Sequence, residues 1–161
     1  MHDPQQLHFV HRIVQVMLLS IVPWVELRLA IPYGIAHLKL NPAVTFAAAV
    51  IASWIVIVPM FLVLDLFYKS FFSRIPLVRQ GVETIRTHGH SYVERWGVLG
   101  VGIYVSLPLP GPGIYSGTVL AWLFELPRKR AILALALGTL VSATLVTSIS
   151  TGVIFLIRWV R

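Results

Sequence analysis

Three stretches of this 161-residue chain carry no charged side chain: Leu40 to Leu64, Trp96 to Phe124 and Ala131 to Ile157, of 25, 29 and 27 residues. A charge at the centre of a bilayer costs at least about 2.5 kcal/mol even on lenient scales, and a helix needs about 20 apolar residues to cross. Runs of this length belong to a chain built for lipid. Composition agrees: 12% of the residues are charged and 57% hydrophobic, against about a quarter charged in a soluble domain.

Composition also narrows the chemistry. Cysteine is absent, which excludes disulfides, thiolate metal sites and cysteine nucleophiles. The formal net charge of +7 would point to nucleic acid in a soluble protein; here it points to sidedness across a membrane and attraction to anionic lipid. No nucleic-acid partner is expected. The first apolar stretch ends in VPWVELR, not in a small-residue cleavage site, so it is expected to remain in the mature fold.

The middle run cannot be one helix. PLPGPG, Pro108 to Gly113, removes three backbone donors and inserts two glycines. What remains is two apolar arms of 11 to 12 residues, about 17 Å each as helix, which is about half of a 30 Å hydrocarbon core. Two such arms predict a re-entrant hairpin. The N-terminal part has the same anatomy, with Ile13 to Val25 uncharged, PWVELRLAIPYG at the tip and a short arm to Leu38. An offset of 85 residues superposes Pro23 on Pro108, Pro42 on Pro127, Ala36 on Ala121 and Leu38 on Leu123.

The expected fold is therefore an all-α integral membrane protein of one domain, residues 1–161, built from two repeats. The first, 7–68, has a hairpin at 7–40 and a transmembrane helix at 43–66; the second, 96–157, has a hairpin at 96–126 and a transmembrane helix at 131–157. One hairpin and one crossing make each repeat odd, so the second is inverted, the plan of many secondary transporters. The connector 69–95 is the polar stretch; Val78, Val82 and Ile85 recur at helical spacing while Arg79, Glu83 and Arg86 face away, which predicts an amphipathic interfacial segment.

Of six acidic residues, five fall where water reaches them: Asp3 in the tail, Asp65 at a helix end, Glu83 and Glu94 in the connector, Glu125 at the exit of the second hairpin. Glu26 is placed deep, two residues from Arg28. Intramembrane ionisable groups mark substrate or proton pathways, and a carboxylate beside a guanidinium can change protonation as access changes. The alternative is that Glu26 and Arg28 neutralise each other or cap a broken helix. In the second hairpin, backbone N–H groups near Gly111, Gly113 and Ile114 point from a helix start, the arrangement that binds anions, with Ser116 and Tyr115 as added hydroxyl donors; a purely structural turn is the alternative. His88 with His90, and His8 with His11, have no carboxylate at ligand spacing, so no metal is expected.

ELRLAIPYG, Glu26 to Gly34, and PLPGPGIYSG, Pro108 to Gly117, resemble the two signature segments of the small multi-drug export protein family, which is distantly similar to the DedA superfamily of re-entrant-hairpin proteins. The resemblance covers nearly the whole chain. It implies a transporter-like role, with lipid-phosphate flipping coupled to an ion gradient as the favoured activity of DedA proteins. Glu26, Arg28, Pro32 and Gly34 match the first motif, and Pro108, Pro110, Gly111 and Gly113 the second. Pro112 stands where a hydroxyl residue is expected, and the second hairpin lacks an arginine for a phosphate.

The leading expectation is a small proton-coupled flippase or transporter of an anionic amphiphile such as a lipid phosphate, with the hairpin tips meeting near mid-membrane. Alternatives are an exporter of cationic drugs, and a non-transport scaffold assembling through small-residue faces such as Ala134, Gly138 and Ser142. No Ser/His/Asp set or metal cluster lies in the apolar segments, so neither an enzyme nor a cofactor is expected. Membrane lipid and a small-molecule or lipid substrate are the expected partners, with a possible homodimer. Lys69, Arg74, Arg79, Arg86, Arg95, Arg128, Lys129 and Arg130 fall on one side, and Arg12, Lys39, Arg158 and Arg161 on the other. The basic excess puts connector 69–95 in the cytoplasm and both termini outside. Single cysteines in this cysteine-free chain test it: a residue beside Arg79 should resist an impermeant external thiol reagent, and its labelling from outside overturns the orientation.

Overall fold

The structure, a computed structural model, describes residues 4–70, 80, 84, 96–108 and 113–160. Among the described residues the chain is all helical: α1 (Pro4–Ile21), α2 (Glu26–Ala36), α3 (Pro42–Ser70), α4 (Gly97–Ser106), α5 (Ile114–Leu123) and α6 (Arg128–Val160). The amphipathic segment expected over 69–95 lies almost wholly outside the described residues.

Local chemistry fixes the breaks. Between α1 and α2 the Val22 carbonyl accepts from Val25 N–H at 3.3 Å and Glu26 N–H at 3.0 Å. Pro23 occupies the second position of that turn and Trp24, at φ +76°, the third, as in a type II turn. α3 starts with Pro42, which lacks only an N–H that the first turn does not use, and Asn41 Oδ1 accepts from Ala43 N–H at 2.9 Å as its cap. α3 runs to Ser70, so Asp65 lies more than a turn inside the helix and not at its end.

The two short second arms end alike. Lys39 and Glu125 both take φ +52°. Each precedes a buried leucine, Leu40 or Leu126, whose N–H returns to its own arm at 3.0 Å, to the carbonyl of Gly34 or of Ala121. Pro42 and Pro127 then follow. The left-handed residues carry opposite charges, and the returning hydrogen bond spans six residues at the first exit and five at the second.

The chain folds into two compact units, Met1–Trp54 with Thr139–Arg161, and Ile55–Gly138. The first holds α1, α2, the first part of α3 and the last part of α6. Its core includes Val16, Leu27, Ile31, Ala49, Ala143 and Val146. The second holds α4, α5, the last part of α3 and the first part of α6, around Phe61, Val105, Ile114, Leu126 and Leu135. Each unit is thus a hairpin with the start of the long helix that follows it and the end of the other.

Among the described residues two helices are long and apolar enough to cross a membrane, Pro42–Tyr68 and Arg128–Ile157. Their large side chains point outward: Leu133, Leu137, Val141, Leu145, Ile149 and Val153 recur every fourth residue of α6, and all are exposed. The buried positions of the same helix are mostly small, among them Ala131, Ala134, Ser142 and Ala143. A soluble core helix buries the large residues instead. Large side chains outward and small ones inward suit lipid, where association depends on close backbone approach. This is a membrane protein.

Gly138 marks the closest approach to another helix's backbone among the described glycines, since a Cβ there would stand 2.5 Å from the Gly102 carbonyl oxygen of α4. Backbone cannot give way as a side chain can, so Gly138→Ala should cost about 1–3 kcal/mol, read as a lower thermal midpoint in detergent; an unchanged midpoint would refute the contact.

Candidate functional site

The first motif is one helix. On α2 the buried residues are Glu26, Leu27, Ala30, Ile31 and Gly34, the spacing of a single helical face. Glu26 therefore lies on the packed face with 7% exposure, while Arg28 and Pro32 lie off it and are half-buried. A carboxylate on such a face is costly to bury. Its backbone is costly as well: Glu26 takes φ +47°, a left-handed conformation that disfavours a non-glycine residue by about 1–2 kcal/mol. Strain of this kind gathers at functional positions. Pro32 sits inside α2, where it withholds the helical donor to the Arg28 carbonyl.

Gly34 has a packing reason. A Cβ there would meet Thr45 Cγ2 of α3 at 2.6 Å and Val16 Cγ2 of α1 at 2.9 Å. Its place in the motif follows from three helices converging on it.

The second motif is described in part. Pro110 and Gly111 lie outside the described residues, and Pro108 follows the end of α4. Gly113 and Ile114, both buried, open α5. The Gly113 N–H donates to Ser116 Oγ at 2.9 Å, and Ser116 Oγ donates to the Gly113 carbonyl at 3.1 Å. The serine hydroxyl thereby closes the first turn of α5 on itself, as capping groups do. Glu26, Arg28, Pro32 and Gly34 belong to the first unit; Gly113, Ile114 and Ser116 belong to the second.

The polar side of α6 divides by hydrogen bonding. Thr144, Ser150 and Thr151 bond carbonyls of their own helix. Among the described residues, Ser142 Oγ and Thr147 Oγ1 are buried hydroxyl oxygens with no hydrogen-bond partner. Both belong to the unit that holds Glu26. Buried unpartnered hydroxyls cost about 1–3 kcal/mol each, and they provide sites for water or a polar ligand group.

One cluster was not legible in the sequence. Asp65 Oδ1 accepts from Trp122 Nε1 at 2.9 Å, and Asp65 Oδ2 pairs with Arg128. Tyr68 meets Trp122 edge-on, ring centroids 5.2 Å apart, and the Arg128 guanidinium lies 5.9 Å from the Phe61 ring centre. These contacts tie the end of α3 to the end of α5 and the start of α6. In the sequence, Asp65 and Arg128 only bound charge-free runs; 63 residues separate them, and no local spacing pairs them.

The sequence pattern of one known family covers residues 26–145, from the first charged motif into α6. The chain belongs to the putative small multi-drug export protein family. No curated protein and no solved structure matches it. The family's description is that of a transporter, and the matched stretch begins at Glu26 and contains both signature segments.

Asp65→Ala should lower stability by about 1 kcal/mol: the ion pair contributes little because Arg128 is more than half exposed, and the indole N–H of Trp122 loses its acceptor. Asp65→Asn should cost less, since its amide oxygen can still accept from Trp122. Equal thermal midpoints for the two variants in detergent would remove the indole bond from this account.

Proposed function

We propose that this member of the family is a proton-coupled secondary transporter that moves an anionic amphiphile, such as a lipid phosphate, across the cell membrane. The observation that carries this reading is Glu26: a carboxylate with 7% exposure, on a left-handed backbone, in a protein whose outer surface is made of large apolar side chains. Such a group is retained against its solvation cost when it changes protonation in a working cycle. Ser142 and Thr147, with unpartnered hydroxyls in the same unit, supply polar stations for a proton or headgroup. Arg28, in that same unit, is the donor for an anion.

In this reading the hairpins enter and leave the bilayer on the same side, and the two repeats are inverted. α4 and α5, of 10 residues each, span about 15 Å as helix, about half the hydrocarbon core. The connector is cytoplasmic, the termini are outside, and a homodimer would enclose the route more fully. The distant similarity of the family to DedA proteins is what suggests a lipid phosphate as cargo. The family's own description favours a second reading, export of cationic amphiphiles with Glu26 as the site for which proton and drug compete.

Reconstituted vesicles separate the two. A fluorescent anionic phospholipid should change leaflets faster under an imposed pH gradient, and Glu26→Gln should return the rate to that of protein-free vesicles. Unaltered movement in Glu26→Gln overturns the coupling role. Proton release on addition of a lipophilic cation, with no lipid movement, would establish the drug-export reading instead.

A further inference from the structure

A cavity of about 390 Å³ opens at the end of α2 in the first unit, lined in part by Ile35, Ala36, Lys39, Thr151, Ile154 and Phe155. Its size falls in the range of small-molecule sites, about 300–1,000 Å³. Its place along the helices sets its depth. The apolar span of α3 starts at Pro42 and that of α6 ends at Ile157, and both helices contribute to the wall within a few residues of those ends. The cavity therefore stands where hydrocarbon gives way to headgroups.

Its chemistry is that of an anionic lipid. Lys39 is the one charged residue in the described lining. Arg12 brings a second cation to the same hairpin end, with Nη1 donating to the Leu38 carbonyl at 3.4 Å. Among the described residues of this unit the one acid is Glu26, at the opposite end of α2, about 15 Å away along the helix axis. Among the described residues of the unit, no acid stands at the end where Lys39 and Arg12 lie. Below it the wall is apolar, with Ile35 and Ile154 half-buried and Phe155 exposed. A free phosphate would use the cation and leave these side chains idle; a phospholipid would use both.

We infer that this crevice holds an anionic phospholipid of the surrounding bilayer, its headgroup phosphate on Lys39 and an acyl chain along Ile154 and Phe155. The inference goes beyond the transport reading, because it concerns a resident lipid at the hairpin exit and not the cargo of Glu26. It requires only that the chain lies in a membrane.

The full-length protein in a neutral detergent, titrated by native mass spectrometry, provides the test. Phosphatidylglycerol should be retained about fivefold more tightly than phosphatidylcholine of the same chains, the effect of one favourable Lys contact at a membrane surface. Lys39→Asn should abolish that preference; asparagine tolerates the left-handed backbone, so the fold is kept. Ala36→Phe, which fills the crevice without changing charge, should weaken retention of both lipids. Lys129→Gln, removing a cation from the start of α6, should leave the preference as it was, and glycerol phosphate should not compete. Preference surviving in Lys39→Asn, an equal loss in Lys129→Gln, no effect of Ala36→Phe, or competition by glycerol phosphate each overturns the assignment.

Discussion

Hydrocarbon offers no hydrogen bonds, so every backbone N–H and carbonyl placed in it must find its partner within the chain. Helices meet that demand except at their ends and at prolines. Here the breaks are closed by short local devices. The Val22 carbonyl takes two amide donors at the first hairpin turn, Asn41 caps α3, and Ser116 folds onto Gly113 at the start of α5. The buried hydroxyls of Ser20, Ser53 and Thr118 follow the same rule, each bonding the carbonyl four residues back, and those of Ser142 and Thr147 depart from it.

Packing follows from the same solvent. With large side chains directed outward, helices gain by close approach through small residues. Gly34 is held against Thr45 and Val16, and Gly138 against Gly102. Such contacts leave no slack, and they place the few polar groups that depart from the pattern in fixed surroundings. Glu26 lies on the same face of α2 as Gly34, so the glycine that admits α1 and α3 also sets the depth of the carboxylate. That arrangement joins the packing of the first unit to its proposed chemistry.

The end of each hairpin shows how one backbone solution is put to different use. Lys39 and Glu125 share a left-handed conformation, and buried leucines follow both. In the first unit the result is a crevice with a cation at its mouth. In the second, a cavity is lined by Glu125 together with the Asp65 and Arg128 pair.

Much of the fold could be read from the residues alone. Charge-free runs mark the long helices because burying a charge in lipid is costly, and PLPGPG forbids a single helix through Trp96–Phe124 because three prolines withhold donors. The chain itself likewise singles out Glu26, since a lone acid inside an apolar stretch needs no tertiary contact to be conspicuous. Tertiary structure decided what depends on groups distant in sequence. It joined Asp65 to Trp122 and Arg128, 57 and 63 residues away. It also gathered Lys39 with the end of α6 around one cavity. Periodicity and charge are local quantities that a sequence displays directly, whereas partners more than fifty residues apart are set only when the helices pack.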